Sequence, residues 1–514
     1  MTRPGLLRDL LIAALALAAV AAGLWRLADA TSGLTVTRTH AGPTPVTVFR
    51  SVSPDPTPAP LAVIAHGFAG SQQLMQPFAV TLARNGYVAV TFDFPGHGRH
   101  PAPLVGGLAD HDARTRTLQG ALDDVVAFAR GLPGTDPGRL ALLGHSMASD
   151  VVVDYARARP AEVQATVAVS LFSRDVTADS PRNLLVIDGA LEAGPLVDEG
   201  YRVVGMAANG QAVEGTTYGS FPDGTARRLA LADGVEHIGV LYSRESMAEA
   251  LGWLDQAFGR QGGSGYLDAR GPWLGLLYLG LVALAWPLSR FLPRISPAPL
   301  GAGLRWRWLL PVALLPAVLT PLVLRWLPTS FLPILLGDYL ALHFGLYGLL
   351  TAAATWVLRE PGGEDPRVPW RAFTVAALAM TAYAVLAIGL PLDRFAFSFL
   401  PTPGRLPLVL AVLAGTALYF AADEWLTRGA SAPRGAYAAT KLCFLVSLAL
   451  AIALDPPRLF FLIIIVPAIL VFFVLYGTLS AFAYRRTGHP LVGATANAAA
   501  FAWAIAVTFP VVAR

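Results

Sequence analysis

The pattern of apolar and polar positions divides the chain in two. Between about residues 31 and 262, short apolar runs of strand length alternate with amphipathic stretches; from 272 onward, apolar segments long enough to cross a bilayer follow in series. In the first part, Thr44 to Arg50, Leu61 to Ala65, Tyr87 to Phe92, Leu140 to Leu143, Ala165 to Val169, Leu184 to Ile187 and Arg228 to Ala232 read as strands. Gln76 to Asn85, Thr117 to Arg130, a stretch from Ser149 (Val151, Val152, Tyr155) and Arg244 to Phe258 read as helices. A Pro-rich turn, Ser53 to Pro60, separates the first two strands. Alternation of this kind predicts an α/β domain over residues 31–260, a mostly parallel sheet with flanking helices and ligands at the carboxyl ends of its strands.

Gln261-Gly-Gly-Ser-Gly265 opens a flexible linker over 261–271. Apolar segments then fall near 272–292, 308–327, 333–358, 372–392, 406–426, 440–455, 458–482 and 491–512, so that 272–514 is expected to be an all-α, multi-pass membrane domain of about eight helices. The segment 440–455 is short and ends at Asp455-Pro-Pro457. Residues 1–30 hold a further apolar run, Leu10 to Leu24 behind Arg3 and Arg8. A signal peptide and an uncleaved transmembrane anchor both begin this way.

Arginines sort the loops. Arg290, Arg294, Arg305 and Arg307 follow the first segment of the series, and Arg359, Arg367 and Arg371 the third. Arg428, Arg434 and Lys441 follow the fifth, Arg485 and Arg486 the seventh. These are alternate loops, cytoplasmic by the positive-inside rule, which puts the α/β half on the periplasmic or extracellular side of the cell membrane. The opposite loops hold Arg325, Arg394 and Arg405.

Composition agrees with a membrane chain. Of 514 residues, 54% are hydrophobic and 14% charged, beyond what a soluble protein usually carries. The net charge of +4 is spread along the sequence, with no basic-aromatic stripe for nucleic acid. A single cysteine, Cys443, rules out an intrachain disulfide or a cysteine-based metal site. No cofactor or metal ligand set is expected.

The candidate chemistry centres on Gly138-Arg-Leu-Ala-Leu-Leu-Gly-His-Ser-Met-Ala-Ser149. A strand stops at Gly144-His145-Ser146-Met147-Ala148 and a helix begins, the context in which G-x-S-x-G places a serine on a sharp turn. Positions two before and two after the serine must be small; here they are Gly144 and Ala148. The serine Oγ is then exposed at a helix N-terminus, where backbone N–H groups favour developing negative charge. His66-Gly67-Phe68 follows the Leu61 strand. Such a turn offers one oxyanion donor, by position the N–H of Phe68, with the N–H of Met147 as the second. His66 reads as a brace for the turn. Asp93-Phe-Pro-Gly-His-Gly98 follows the next strand, with His97 read as structural.

These three motifs, in this order and spacing, resemble the α/β-hydrolase superfamily, especially its dienelactone-hydrolase and lysophospholipase-like branches, over residues 44–259. The resemblance implies a nucleophile, acid and histidine in that order. Its acid pattern, a strand, then Gly, two residues and the acid, lands on Glu192 after Gly189. Asp188 before that glycine is the second choice and Asp175 the third. His237 follows the last strand and is the only histidine between His145 and the membrane half. In that mechanism His237 takes the Ser146 proton, Ser146 attacks an acyl carbon and water releases the acid. The Gly-rich segment Pro195 to Asp223 is expected to be a mobile loop over the site. Pro101 to Asp112 is short for a cap, so an open pocket is expected.

In the membrane half, Phe420 to Gly429 and Tyr484 to Asn497 are similar to two signatures of the intramembrane CAAX-protease and bacteriocin-processing family. Asp423, Glu424 and Arg428 fall on the acidic pair and arginine of the first. Asn497 stands where that family has a histidine and no F-x-x-x-H follows Arg428, so the resemblance implies an inactive relative. The alternative is that Asp423 and Glu424 merely end a helix beside cytoplasmic arginines. Asp338 and His343 lie in one spanning segment, where ionisable residues are costly, and are spaced to pair.

The expectation is a membrane-anchored serine hydrolase of carboxylic esters; the tether directs attention to lipid or cell-envelope acyl groups. Its partners would be a small-molecule or lipid ester and membrane lipids. The alternatives are an acyltransferase using the same triad and a non-catalytic ligand-binding or transport protein.

Overall fold

The computed structural model describes residues 3–52, 57–173, 175–261, 263–358 and 368–513. Positions 53–56 of the Pro-rich turn, Gly262 of the linker, and Arg359 and Arg367 lie outside the described residues.

Helix α1 (Arg3–Asp29) precedes β1 (Leu34–Ala41), β2 (Thr44–Ser51), β3 (Ala59–Ala65), α2 (Gln76–Arg84), β4 (Val88–Phe92), α3 (His111–Arg130), β5 (Thr135–His145) and α4 (Met147–Ala158). Then come β6 (Val163–Val169), β7 (Leu184–Gly189), α5 (Gly194–Gly205), β8 (Arg227–Ala232) and α6 (Arg244–Ala257). The strands form one sheet in the order β1-β2-β4-β3-β5-β6-β7-β8. β1 and β2 join antiparallel at one edge, and every pairing from β4 to β8 is parallel. The central strands are continuous apolar runs because helices cover both faces. Phe78 and Leu82 of α2 with Trp253 and Leu254 of α6 bury one face. Leu122 and Val125 of α3 with Val152 and Tyr155 of α4 bury the other. This is the α/β-hydrolase fold.

Two elements depart from the sequence expectation. β1 carries no hydrophobic signal, since as an edge strand bonded to β2 it leaves most of its Thr-rich side chains exposed. The segment expected to be a mobile loop from Pro195 begins instead with α5. Its Pro195 sits in the first turn, where a missing N–H costs nothing, and Val203 and Val204 are buried against the sheet. Gly200 is there for space: a Cβ would lie 2.6 Å from Asp188 Oδ2 and 2.9 Å from Leu229 Cδ1.

The C-terminal half is helical: α7 (Arg270–Ser289), α8 (Trp306–Leu324), α9 (Gly337–Val357), α10 (Trp370–Ala382), α11 (Ile388–Phe395), α12 (Leu406–Thr427), α13 (Ala436–Leu454), α14 (Pro456–Leu459), α15 (Leu462–Thr487) and α16 (Pro490–Thr508). Among the described residues nine helical stretches, α1 included, are long and apolar enough to cross a membrane, with α10 and α11 joined in one stretch, Trp370–Phe395.

The chain separates into two compact units, and both are discontinuous in sequence, where the sequence suggests one break near 261–271. One unit gathers Met1–Ala21, Leu276–Pro391 and Phe399–Phe509; the other gathers Ala22–Gly275, Leu392–Ser398 and Pro510–Arg514.

Within the helical unit the ionisable residues are arranged otherwise than the sequence suggests. Lys441 is not a loop charge: it lies buried in α13 and ion-pairs with Asp423. Glu424, also buried, accepts from Arg428 Nε at 3.0 Å and from Asn497 Nδ2 at 3.2 Å. The acidic pair therefore does not simply end a helix toward water; Lys441 and Arg428 balance its charge and the Asn497 amide donates to it, as burial of charge requires. Asp338 and His343 do not pair. Asp338 accepts from the N–H groups of Phe331, Leu332 and Tyr339, and His343 Nε2 lies 3.1 Å from Ser447 Oγ. Arg405 is buried and donates to the Ala506 and Phe509 carbonyls at the end of α16.

Candidate active site

β5 ends at His145 and α4 begins at Met147, leaving Ser146 alone in the turn with φ +54° and ψ −119°. That conformation is unfavourable for a side-chain-bearing residue and is held from several directions. Ser146 N–H donates to Val169 O at 2.8 Å, and Ser149 Oγ donates to Ser146 O at 2.6 Å. Gly144 and Ala148 are small because the strand and helix meet there. A Cβ on Gly144 would overlap the Ala148 carbonyl and lie 2.7 Å from Val152 Cγ2.

Residues from three separate strand ends converge on Ser146. His237, beyond β8, has Nε2 at 3.0 Å from Ser146 Oγ and Nδ1 at 3.0 Å from Glu192 Oε2. Glu192, beyond β7, has a fully buried side chain, and His237 is only 14% exposed. The other carboxylate oxygen, Oε1, accepts from Ser170 Oγ at 2.5 Å and from Gly189 N–H at 3.1 Å. With Oε1 occupied by two donors, Oε2 is turned to the imidazole. The partners also set the tautomer: a carboxylate can only accept, so Nδ1 carries the proton and Nε2 presents its lone pair to the serine hydroxyl.

The other acids stand apart. Asp188 is buried, with the backbone at Leu171 and Ser170 as the hydrogen-bonding groups beside its carboxyl. Burial, and after it the charge of Glu192, holds its carboxyl well above the usual range. Asp175 is exposed and lies 4.0 Å from Arg157.

The turn His66-Gly67-Phe68 lies directly against Ser146. A Cβ on Gly67 would be 3.0 Å from Ser146 Cβ and 2.9 Å from His145 Nδ1, so only glycine lets the two loops approach. His66 is buried; its Nε2 accepts from Phe94 N–H at 3.1 Å, so Nδ1 holds the proton and donates to Gly67 O at 2.8 Å. Gly70 N–H donates to the same carbonyl at 3.1 Å. Because C=O and N–H of a trans peptide point opposite ways, fixing the Gly67 carbonyl fixes the Phe68 N–H. Burial lowers the pKa of His66 and keeps its ring neutral.

Two positioning contacts were not foreseen from sequence. Ser170, at φ +55°, follows β6 as Ser146 follows β5 and so reaches Glu192. Its place at a strand end was the only signal. His145 Nε2 lies 3.0 Å from the His237 carbonyl, an acceptor only, so Nε2 is the protonated nitrogen. Its Nδ1 is buried without a partner. Burial, then the neighbouring His237, holds the His145 pKa well below its ordinary value.

Residues 56–181 match the family model described as serine aminopeptidase, S33, which places the N-terminal half in the α/β-hydrolase superfamily. No curated protein matches the chain significantly. Among solved structures, a membrane phospholipase A described as a bacterial virulence factor is 15% identical, covering 50% of this chain and 99% of its own, with a TM-score of 0.32. A CIB-like hydrolase from Thermoplasma acidophilum is 15% identical over 42% of this chain and 94% of its own, at 0.31. A dienelactone hydrolase from Klebsiella pneumoniae subsp. pneumoniae is 16% identical over 43% and 99%, also at 0.31. The protein is a hydrolase of the α/β type carrying a set of apolar, membrane-length helices.

Proposed function

We propose that the protein is a membrane-anchored serine hydrolase that cleaves carboxylic esters through an acyl-enzyme. The observation that carries this reading is the line of hydrogen bonds from Ser146 Oγ through His237 to Glu192. His237 Nε2 accepts the hydroxyl proton as Oγ attacks the acyl carbon. Glu192, its second oxygen tied to Ser170 and Gly189, stabilises the imidazolium without taking its proton. The amides of Phe68 and Met147 receive the oxyanion. The imidazolium then protonates the leaving alkoxide. A water molecule, deprotonated by the same Nε2, attacks the acyl carbon and frees Ser146 with the acid.

The nine apolar helices among the described residues favour esters of lipid or cell-envelope acyl groups as the substrate class. The arginines at 290, 294, 305 and 307, and at 485 and 486, support a cytoplasmic position for those loops and an outer-side position for the hydrolase at the cell membrane. The test is labelling of intact cells or spheroplasts with a membrane-impermeant fluorophosphonate, wild type against Ser146→Ala. Labelling of the wild type alone is expected. An unlabelled wild type that stays unlabelled after permeabilisation defeats the nucleophile, and labelling only after permeabilisation defeats the orientation.

A further inference from the structure

Two short segments from the C-terminal half belong to the hydrolase unit, Leu392–Ser398 and Pro510–Arg514. Each comes at or just after the end of an apolar stretch, Trp370–Phe395 and Pro490–Thr508. The first contacts both the loop that carries the turn beside Ser146 and the loop after β4, and the second contacts the loop after β4.

The first loop is 66–72. Its Ser71 Oγ accepts from the Ser398 N–H at 2.9 Å, a buried contact. One residue on, Gln72 donates to Asp93 through its backbone N–H (2.8 Å) and its Nε2 (2.9 Å), which ties this loop to the second, 93–104. Arg99 is fastened twice: its N–H donates to Asp93 Oδ2 at 3.1 Å, and its Nη2 reaches both oxygens of Asp393 at 2.8 and 2.6 Å.

Residues 510–513 run along the second loop as an added β-bridge. Val511 N–H donates to Gly96 O and Leu104 N–H donates to Val511 O, both at 2.8 Å; Ala513 N–H donates to Leu104 O at 3.0 Å. The approach is close enough that a Cβ on Gly96 would lie 2.5 Å from the Val511 carbonyl. From this loop the contacts run inward. Phe94 N–H holds His66 Nε2, and the His97 ring packs at 5.2 Å from His66 and edge-on at 6.2 Å from Phe68.

We infer that residues 392–398 and 510–513 are positioning elements of the reaction, which hold loops 66–72 and 93–104 so that the Phe68 N–H faces the oxyanion formed at Ser146. The inference rests on the Ser146 reading above. It gives these C-terminal segments a part in catalysis: they fix the turn that receives negative charge in the transition state, not the groups that bind the ground-state ester. A loosened turn therefore lowers kcat and leaves KM nearly unchanged.

The experiment uses the full chain in detergent and a short-chain p-nitrophenyl ester. Val511→Pro deletes the N–H that Gly96 O accepts; Asp393→Ala frees Arg99; Asp393→Asn removes only the charge. The exchange Arg99→Asp with Asp393→Arg restores an ion pair in reverse. Each single variant is expected to lose about tenfold or more in kcat, as for displacement of part of an oxyanion hole. Affinity for a boronic acid transition-state analogue should fall in parallel, and the exchange should recover most of the Asp393→Ala loss. If Val511→Pro does not fold, the Asp393 series alone decides. Folded variants with kcat within about twofold of wild type, or a loss confined to KM, overturn the inference. A wild type that neither turns over the ester nor reacts with a fluorophosphonate overturns the Ser146 reading itself, and this inference with it.

Discussion

Gly67 and Ser146 meet so closely that a methyl group on Gly67 would stand 3.0 Å from the serine Cβ. The two turns are thus in close contact, with the His145 carbonyl and ring Nδ1 also within 3.0 Å of that methyl group. Gly67→Ala should push the turns apart by a fraction of an ångström. Because a displacement of about 1 Å at a reacting centre costs on the order of a hundredfold in rate, a loss of about ten- to a hundredfold in kcat is expected. Steady-state kinetics on a soluble ester checks it, and an unchanged kcat would mean that the Phe68 amide plays no part.

Ser170 donates to the Glu192 oxygen that His237 does not use. Without it, Oε1 keeps only the Gly189 amide and the carboxylate gains freedom to rotate away from the imidazole. A hydrogen bond to a charged group contributes about 1.5–3 kcal/mol, so Ser170→Ala is expected to lower kcat/KM by about ten- to a hundredfold. A rate equal to wild type would show that Gly189 and packing hold Glu192 unaided.

Much of this arrangement is legible in the sequence, for a physical reason. Buried parallel strands are unbroken apolar runs, and the turns at their carboxyl ends need glycine or small residues at fixed offsets. Gly67, Gly144 and Ala148 therefore mark the site before any coordinates. What stays hidden is contact between residues distant in sequence. Nothing in the Thr-rich run of β1 announces an edge strand. Nothing local pairs Lys441 with Asp423, or sends His343 to Ser447 and away from Asp338. The grips of Asp393 and Val511 on loop 93–104 join residues from opposite ends of the chain, and no periodicity encodes them.

Glu192 and Asp188 lie four residues apart, and their environments assign them different tasks. Glu192→Gln removes the charge that stabilises the imidazolium and should cost about a thousandfold or more in kcat. Asp188→Asn should leave kcat close to wild type, because His237 is bonded to Glu192 and Ser146 and not to Asp188. Its effect belongs to stability. The folded state holds the Asp188 proton well above the usual range, whereas the unfolded chain releases it near pH 4. The unfolded state therefore binds fewer protons as pH rises, and the wild type loses stability from about pH 4 upward until the folded-state pKa is passed. The asparagine variant escapes this loss. Its melting temperature relative to wild type should climb as pH rises above about 4; a difference that stays flat with pH would place a charged Asp188 in the native protein.

His145 carries the opposite dependence. Burial and the neighbouring His237 keep it neutral in the fold, while in the unfolded chain it gains a proton below about pH 6.5. There the unfolded state binds more protons, so the stability present above that pH is lost as pH falls toward the lower folded-state pKa. His66 is depressed by burial in the same way and adds to the loss. His145→Gln retains an N–H able to reach the His237 carbonyl and does not titrate. The variant should lose less stability than wild type between about pH 7 and pH 5 in thermal unfolding. An unaltered acid sensitivity of the fold would mean that His145 binds its proton equally well in the folded and the unfolded chain.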